Sequence, residues 1–163
     1  TEIYTLSLHD ALPISPDIPR PGYAYYEQDL ESRTFGVVVD TSGSMSAKQI
    51  GMALGSIASY AAAKDVPFVR IIFCDAKATD AGYLAPEDIA GRVKVTGRGG
   101  TILQPGVDCL EQANDFPKDG PILIITDGEI ENDLKVRREH AFLLPRGNRL
   151  PFRARGEVFY FRE

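Results

Sequence analysis

The chain has 163 residues, a formal net charge of −5 and an apolar fraction of 44%. That length suffices for one domain with a substantial core, and the acidic balance excludes a general basic footprint for nucleic acid. No apolar run approaches the roughly 20 residues of a membrane-spanning helix, and no stretch has the layout of a secretory signal. The only cysteines, Cys74 and Cys109, fall in expected core elements. They are read as reduced thiols of a cytoplasmic protein. With two scattered histidines, His9 and His140, they form no zinc pattern.

"TEIYTLSLHDALPIS", residues 1–15, resembles a translated sequencing-library adapter and is expected to be non-native. The competing reading is an extended arm, because Tyr4, Leu6 and Leu8 alternate. On the first reading the native upstream sequence is missing and the chain is a fragment. Residues 16–34, rich in proline and tyrosine, read as an irregular lead-in in which Tyr23, Tyr25 and Tyr26 pack. The domain proper is expected over residues 35–163.

"FGVVVD", Phe35 to Asp40, is a continuous apolar run of the kind found in a central parallel strand. Ser46 and Gln49 then make a capping box. Ile50, Leu54, Ile57 and Ala61, with Ala53 and Ala58 beside them, mark the buried face of a helix. Gly51 and Gly55 weaken that helix and are expected to let its backbone approach the sheet. Pro67 closes the unit. "FVRIIFCD" is the second strand, and "AKATDAGYLAP" suits a turn and an antiparallel edge strand. Pro86 opens a short helix through Val93, with Glu87 and Asp88 in its first turn. "TGRGGT" is a glycine-rich loop, and Pro105 opens a helix with Val107, Leu110 and Ala113 inward. "PILIITDG" is a strand ending on Asp127. "EIENDLKVRRE" reads as one poor helix or a loop, with only Ile130, Leu134 and Val136 to bury. "HAFLLP" and "GEVFYF" read as two further strands. Alternating strands and helices give an α/β fold: three layers, a mostly parallel central sheet, helices on both faces and an antiparallel edge strand.

In such sheets ligands bind at the carboxyl ends of the strands, where Asp40 and Asp127 fall. Asp40, Ser42 and Ser44 come from one loop, Thr101 from a second and Asp127 from a third. All five offer oxygen, which suits a hard divalent ion, Mg²⁺ or Mn²⁺, rather than zinc. Two carboxylates balance the charge and leave the ion electrophilic, able to accept an Asp or Glu from a protein partner. Gly43 allows a tight turn between the serines, and Gly99 and Gly100 let the Thr101 loop approach.

"DTSGSM", "GRGGT" and "ITDG", in that order, resemble the metal-ion-dependent adhesion site of von Willebrand factor A (VWA) domains. More narrowly, the chain resembles the VWA-like C-terminal domain of predicted bacterial metal-dependent peptidases. The resemblance runs from about Phe35 to Asp127 and more loosely to the end. It implies a Rossmann-like fold and a non-catalytic, metal-dependent protein-binding module. Asp40, Ser42 and Ser44 correspond to the DxSxS ligands, Thr101 to the loop threonine and Asp127 to the last aspartate. The implied partners are a protein carboxylate and the missing upstream half, not nucleic acid or membrane. The chain has no HExxH motif of its own. Its end, "EVFYFRE", reads as a strand, which departs from VWA domains that signal through a C-terminal helix.

Other readings stand beside these. Asp40 could cap the following helix, with Ser42 and Ser44 as turn residues. The glycine-rich loop could cradle phosphate, but GxxxxGK[ST] is absent. The rival function is a Mg²⁺-dependent phosphatase with Asp40 as nucleophile. Such enzymes carry a second Asp where Ser42 stands. No GxSxG elbow supports a serine hydrolase. A structural subunit whose site stays empty in the cell is the third alternative. Asp75 reads as a turn former and His140 as structural. Glu129 and Glu131 are not counted in the site. Arg137, Arg138, Arg146, Arg149, Arg153 and Arg155 read first as solvated surface, second as contact with an acidic partner or with the missing upstream domain, and third as a nucleic-acid contact.

Overall fold

The structure, a computed structural model, describes residues 34–92 and 101–162. The expectations for residues 1–33 and for Val93, Gly99 and Gly100 lie outside the described residues. All described residues fall in one unit, Thr34–Glu163.

Six strands form one sheet: β1 (Gly36–Asp40), β2 (Val69–Cys74), β3 (Ala78–Leu84), β4 (Ile122–Ile125), β5 (His140–Pro145) and β6 (Glu157–Phe161). Their order is β3-β2-β1-β4-β5-β6. β3 runs antiparallel to β2 at one edge, and every other pairing is parallel. The fold is therefore the expected α/β architecture. β1 and β2 are buried at every position, as strands covered on both faces must be, and this explains their unbroken apolar runs.

The two faces carry separate cores. On one, helix α1 (Ala47–Ala63) buries Ile50, Ala53, Leu54, Ile57 and Ala61 against Val37, Val39, Ile71 and Phe73. Its start is the expected capping box. Ser46 Oγ accepts the Gln49 N–H at 3.1 Å, and Gln49 Oε1 accepts the Ser46 N–H at 3.0 Å. Helix α2 (Pro86–Ile89) adds Ile89 to this core. It is one turn long and stops short of the expected Val93. On the opposite face, helix α3 (Gln104–Gln112) packs Val107 and Leu110 against Val38, Ile72 and Ile124. Ala113 lies just past its end rather than within it.

At Gly55 the expected close approach is not made, and one is found instead at Gly106. A Cβ on Gly55 would meet nothing within 4 Å. One on Gly106 of α3 would stand 2.8 Å from Val38 Cγ1 and 3.1 Å from Cys74 Cβ. α3 is thus a helix seated against the strands by a missing side chain, at Gly106.

The connections β4→β5 and β5→β6 contain neither helix nor strand. Both lie on the α3 face, where Ile130, Leu134, Val136, Leu150, Phe152 and Ala154 pack on the second core. From Lys135 to Arg138 the first of these segments hydrogen-bonds to α3 and the residues just beyond it. Gln104 Oε1 accepts the Lys135 N–H at 2.8 Å, and Gln104 Nε2 donates to the Lys135 carbonyl at 3.0 Å. Glu111 Oε1 accepts the Arg137 N–H at 2.7 Å. Arg138 donates to the Glu111 carbonyl at 3.2 Å and to that of Pro117, and stacks over Phe116. Backbone groups satisfied by a neighbour need no helix of their own.

Candidate functional site

The carboxyl end of β1 lies between those of β2 and β4. Asp40 pairs in register with Cys74, and Val39 with Ile125, so Thr126 comes next to Asp40. Asp40 is fully buried. Its Oδ1 accepts the Ser42 N–H at 2.9 Å, and its Oδ2 accepts the Thr126 hydroxyl at 2.8 Å. Burial raises its pKa above the ordinary value; hydrogen bonds from Ser42 and Thr126 oppose this, and the charge of Asp127 adds to it. The Asp127 carboxylate thus acts on Asp40 although the two belong to different loops.

After Asp40 the chain turns at once. The Met45 N–H donates to the Ser42 carbonyl at 3.1 Å, and Met45 is buried beneath the turn. Ser42 is buried and Ser44 exposed, and their hydroxyl oxygens lie 3.0 Å apart.

β4 ends at Ile125, so Asp127 sits two residues beyond the strand rather than at its tip. It is nearly buried, and its Oδ1 accepts the Glu129 N–H at 2.9 Å. Thr126 Oγ1 accepts the Gly128 N–H at 3.0 Å, which fixes the turn. Gly128 has φ +91°, and a Cβ there would stand 2.0 Å from the Arg149 carbonyl oxygen. Asn148 Nδ2 donates to the Asp127 carbonyl at 2.8 Å.

Thr101 is half-buried and begins the segment leading into α3. The next residue, Ile102, ties this segment to the end of β2. Its N–H donates to the Asp75 carbonyl at 2.9 Å, and its carbonyl accepts the Cys74 thiol at 3.3 Å. Asp75 itself is the expected turn former, its Oδ1 accepting the N–H groups of Ala76 and Lys77. The structure therefore groups Asp40, Ser42 and Ser44 in one turn and brings Asp127 beside it. The Thr101 segment is anchored at the end of β2, the strand next to β1.

Three supporting residues escape the sequence reading. Thr126, the first residue after β4, holds Asp40. Glu131 accepts the N–H groups of Leu103, at 2.9 Å, and Gln104, at 2.7 Å. It thereby caps α3, which has Leu103 at its N-cap and no side-chain cap of its own. Asn148 supports Asp127. An α3 start without Ser, Thr, Asp or Asn is the one sequence signal that an acceptor from elsewhere is needed. His140 is structural as expected, with Nδ1 2.8 Å from the Arg138 carbonyl and its ring edge-on to Phe142.

Among the described residues no three His, Cys, Asp or Glu side chains gather as metal-binding clusters do. The donors at the β1 edge are two carboxylates and hydroxyls, which fit a hard divalent ion and not zinc. No helix among the described residues is long and apolar enough to cross a membrane.

A family model described as VWA-like domain (DUF2201) matches residues 35–137, from β1 to the segment just before β5. Among solved structures, one match is the crystal structure of an aerotolerance-related membrane protein from Bacteroides fragilis NCTC 9343 with multiple mutations to serines. It aligns with a TM-score of 0.50 at 18% identity, over 72% of this chain and 71% of that one. At that identity the likeness is one of fold. No curated protein matches the chain. The matched span holds the parallel strands β1, β2 and β4 and both loops carrying the aspartates, and on that basis the chain belongs to the VWA-like domain family.

Proposed function

We propose that the chain is a non-catalytic protein-binding module that works through a divalent cation, Mg²⁺ or Mn²⁺. The cation is held by Asp40, Ser42, Ser44, Thr101 and Asp127, and an open position takes an Asp or Glu from a protein partner. The observation that carries this reading is the pair of serine hydroxyls 3.0 Å apart beside a buried carboxylate. Neighbouring ligands of an octahedral ion with bonds of about 2.1 Å lie about 3.0 Å apart. The spacing of the two serine oxygens thus equals one edge of such an octahedron. Asp40 and Asp127 would offset the double charge, which relieves the cost of burying Asp40. The upstream peptidase-like half implied by the family resemblance is one such partner, and the cytoplasm, where Cys74 and Cys109 stay free thiols, is the fitting compartment.

Isothermal titration with MgCl₂ and MnCl₂ tests the reading. The wild type is expected to bind one ion, Asp40→Ala to lose binding, and Ser44→Ala to weaken it. Undiminished affinity in Asp40→Ala would refute the metal site. Asp40-dependent hydrolysis of an aryl phosphate would instead favour a phosphoryl-accepting aspartate.

A further inference from the structure

At the carboxyl ends of β5 and β6 lies a cavity of about 500 Å³ lined by Arg146, Gly147, Asn148, Arg149, Tyr160 and Arg162. We propose that it is a carboxylate-binding pocket for an acidic segment of the protein partner, a second contact beside the cation. The inference rests on the binding-module reading for its partner, but the pocket's own affinity requires no metal.

The arginines are placed by the fold. Arg146 directly follows β5, and its N–H donates to the Phe161 carbonyl of β6 at 3.0 Å. Arg162 directly follows β6. Between Arg146 and Arg149 the chain makes a tight turn. Gly147 there has φ +97°, and the Asn148 N–H donates to the Pro145 carbonyl at 3.1 Å. All three arginine residues are exposed.

What sets these three apart is that they line one cavity together while their side chains stay unpaired. Arg70 is held by Asp80 and Asp115, and Arg138 by the carbonyls at the end of α3. Among the described residues, no carboxylate or carbonyl engages the side chains of Arg146, Arg149 or Arg162. Three unpaired planar forks around one cavity match the two-oxygen geometry of carboxylates. The half-exposed Tyr160 adds a phenol at the rim.

The pocket also adjoins the candidate cation site. Asn148 donates to the Asp127 carbonyl, and Gly128 lies against the Arg149 backbone. One wall therefore belongs to the same packed unit as the Asp127 loop. A partner seating one carboxylate at the cation has an adjacent place for further acidic side chains. The chain as a whole carries −5, so a long polyanion such as nucleic acid meets repulsion outside this patch, whereas a short acidic peptide does not.

The test is fluorescence anisotropy of a labelled hexaglutamate peptide with the full chain at low salt, in EDTA and then in Mg²⁺. In EDTA the triple variant Arg146→Ala/Arg149→Ala/Arg162→Ala is expected to lose about tenfold or more in affinity. The control Arg153→Ala/Arg155→Ala, which removes charge outside the pocket, is expected to lose about twofold or less. Equal losses in the two variants, or tighter binding of a single-stranded oligonucleotide than of the peptide, would overturn the proposal. Added Mg²⁺ should tighten peptide binding, and Asp40→Ala should remove only that increment. An absent Mg²⁺ increment with the arginine effect intact counts against the metal reading alone. The reverse result counts against the pocket alone.

Discussion

Thr126→Val tests the joint between β4 and the buried carboxylate. The substitution keeps the shape of the side chain and removes its hydroxyl. That hydroxyl donates to Asp40 Oδ2 at 2.8 Å and accepts the Gly128 N–H at 3.0 Å. Losing a hydrogen bond to a charged group costs about 1.5–3 kcal/mol, and stranding an N–H costs about 1 kcal/mol or more. The added methyl returns about 1 kcal/mol. The net expectation is a destabilisation of about 2 kcal/mol. With a urea slope of about 2 kcal/mol per molar, the midpoint falls by about 1 M. Equilibrium urea unfolding in EDTA at neutral pH measures this. Thr126→Ser keeps the hydroxyl and is expected to cost only about 1 kcal/mol. The valine cost should also shrink in acid, where a protonated Asp40 no longer accepts a charge-assisted bond. If valine costs no more than serine, the hydroxyl does not support Asp40 and the reasoning fails.

Gly128→Ala combines positive φ with a Cβ 2.0 Å from a backbone oxygen. A loss of about 3 kcal/mol or more is expected in thermal unfolding, and a loss under about 1 kcal/mol would show that the two loops are not packed together. Glu131→Ala removes the acceptor at the start of α3. It should cost about 2 kcal/mol and speed amide exchange at Leu103 and Gln104; unchanged exchange there would refute the capping role. Burial pushes the Asp80 carboxyl up, but bonds from Arg70 and the Gly82 N–H hold it below the usual carboxylate value. Arg70 likewise lowers Asp115. Depressed carboxylates stabilise the fold above their unfolded pKa, and this contribution disappears as pH falls below about 4 through the folded values. Denaturation midpoints against pH should therefore drop on that acid limb in the wild type and stay flatter in Arg70→Leu; parallel curves would refute the linkage.

What the sequence revealed depended on whether a residue's partner was local. Ser46 and Gln49 satisfy each other three residues apart, and α1 begins where that pattern places it. The unbroken runs of β1 and β2 reflect burial on both faces. The β3 edge was equally legible, because its turn and mixed polarity belong to a strand covered on one side. The 126–139 connection was not resolved in advance, since its backbone partners are Gln104 and Glu111, distant in sequence. The capping role of Glu131 is hidden for the same reason, since it serves Leu103 and Gln104. Thr126 carries no motif of its own; the adjacent Asp127 is the residue that matches one. The glycine placed against the sheet was missed because helical spacing gives inward direction but not the depth of neighbouring side chains, which differs at Gly55 and Gly106.

The bond from the Cys74 thiol to the Ile102 carbonyl gives the protein a built-in kinetic reporter. Burial pushes this thiol up to about 11, against the opposing Gly106 backbone bond. In the closed protein it is therefore inert toward alkylating reagents at neutral pH. Labelling requires the segment after Thr101 to lift away from β2. With Cys109 replaced by serine, the rate of iodoacetamide modification reads the frequency of that opening. A ligand that clamps the segment to the strand edge would register as a slowing of one chemical reaction, with no fluorophore or tag attached.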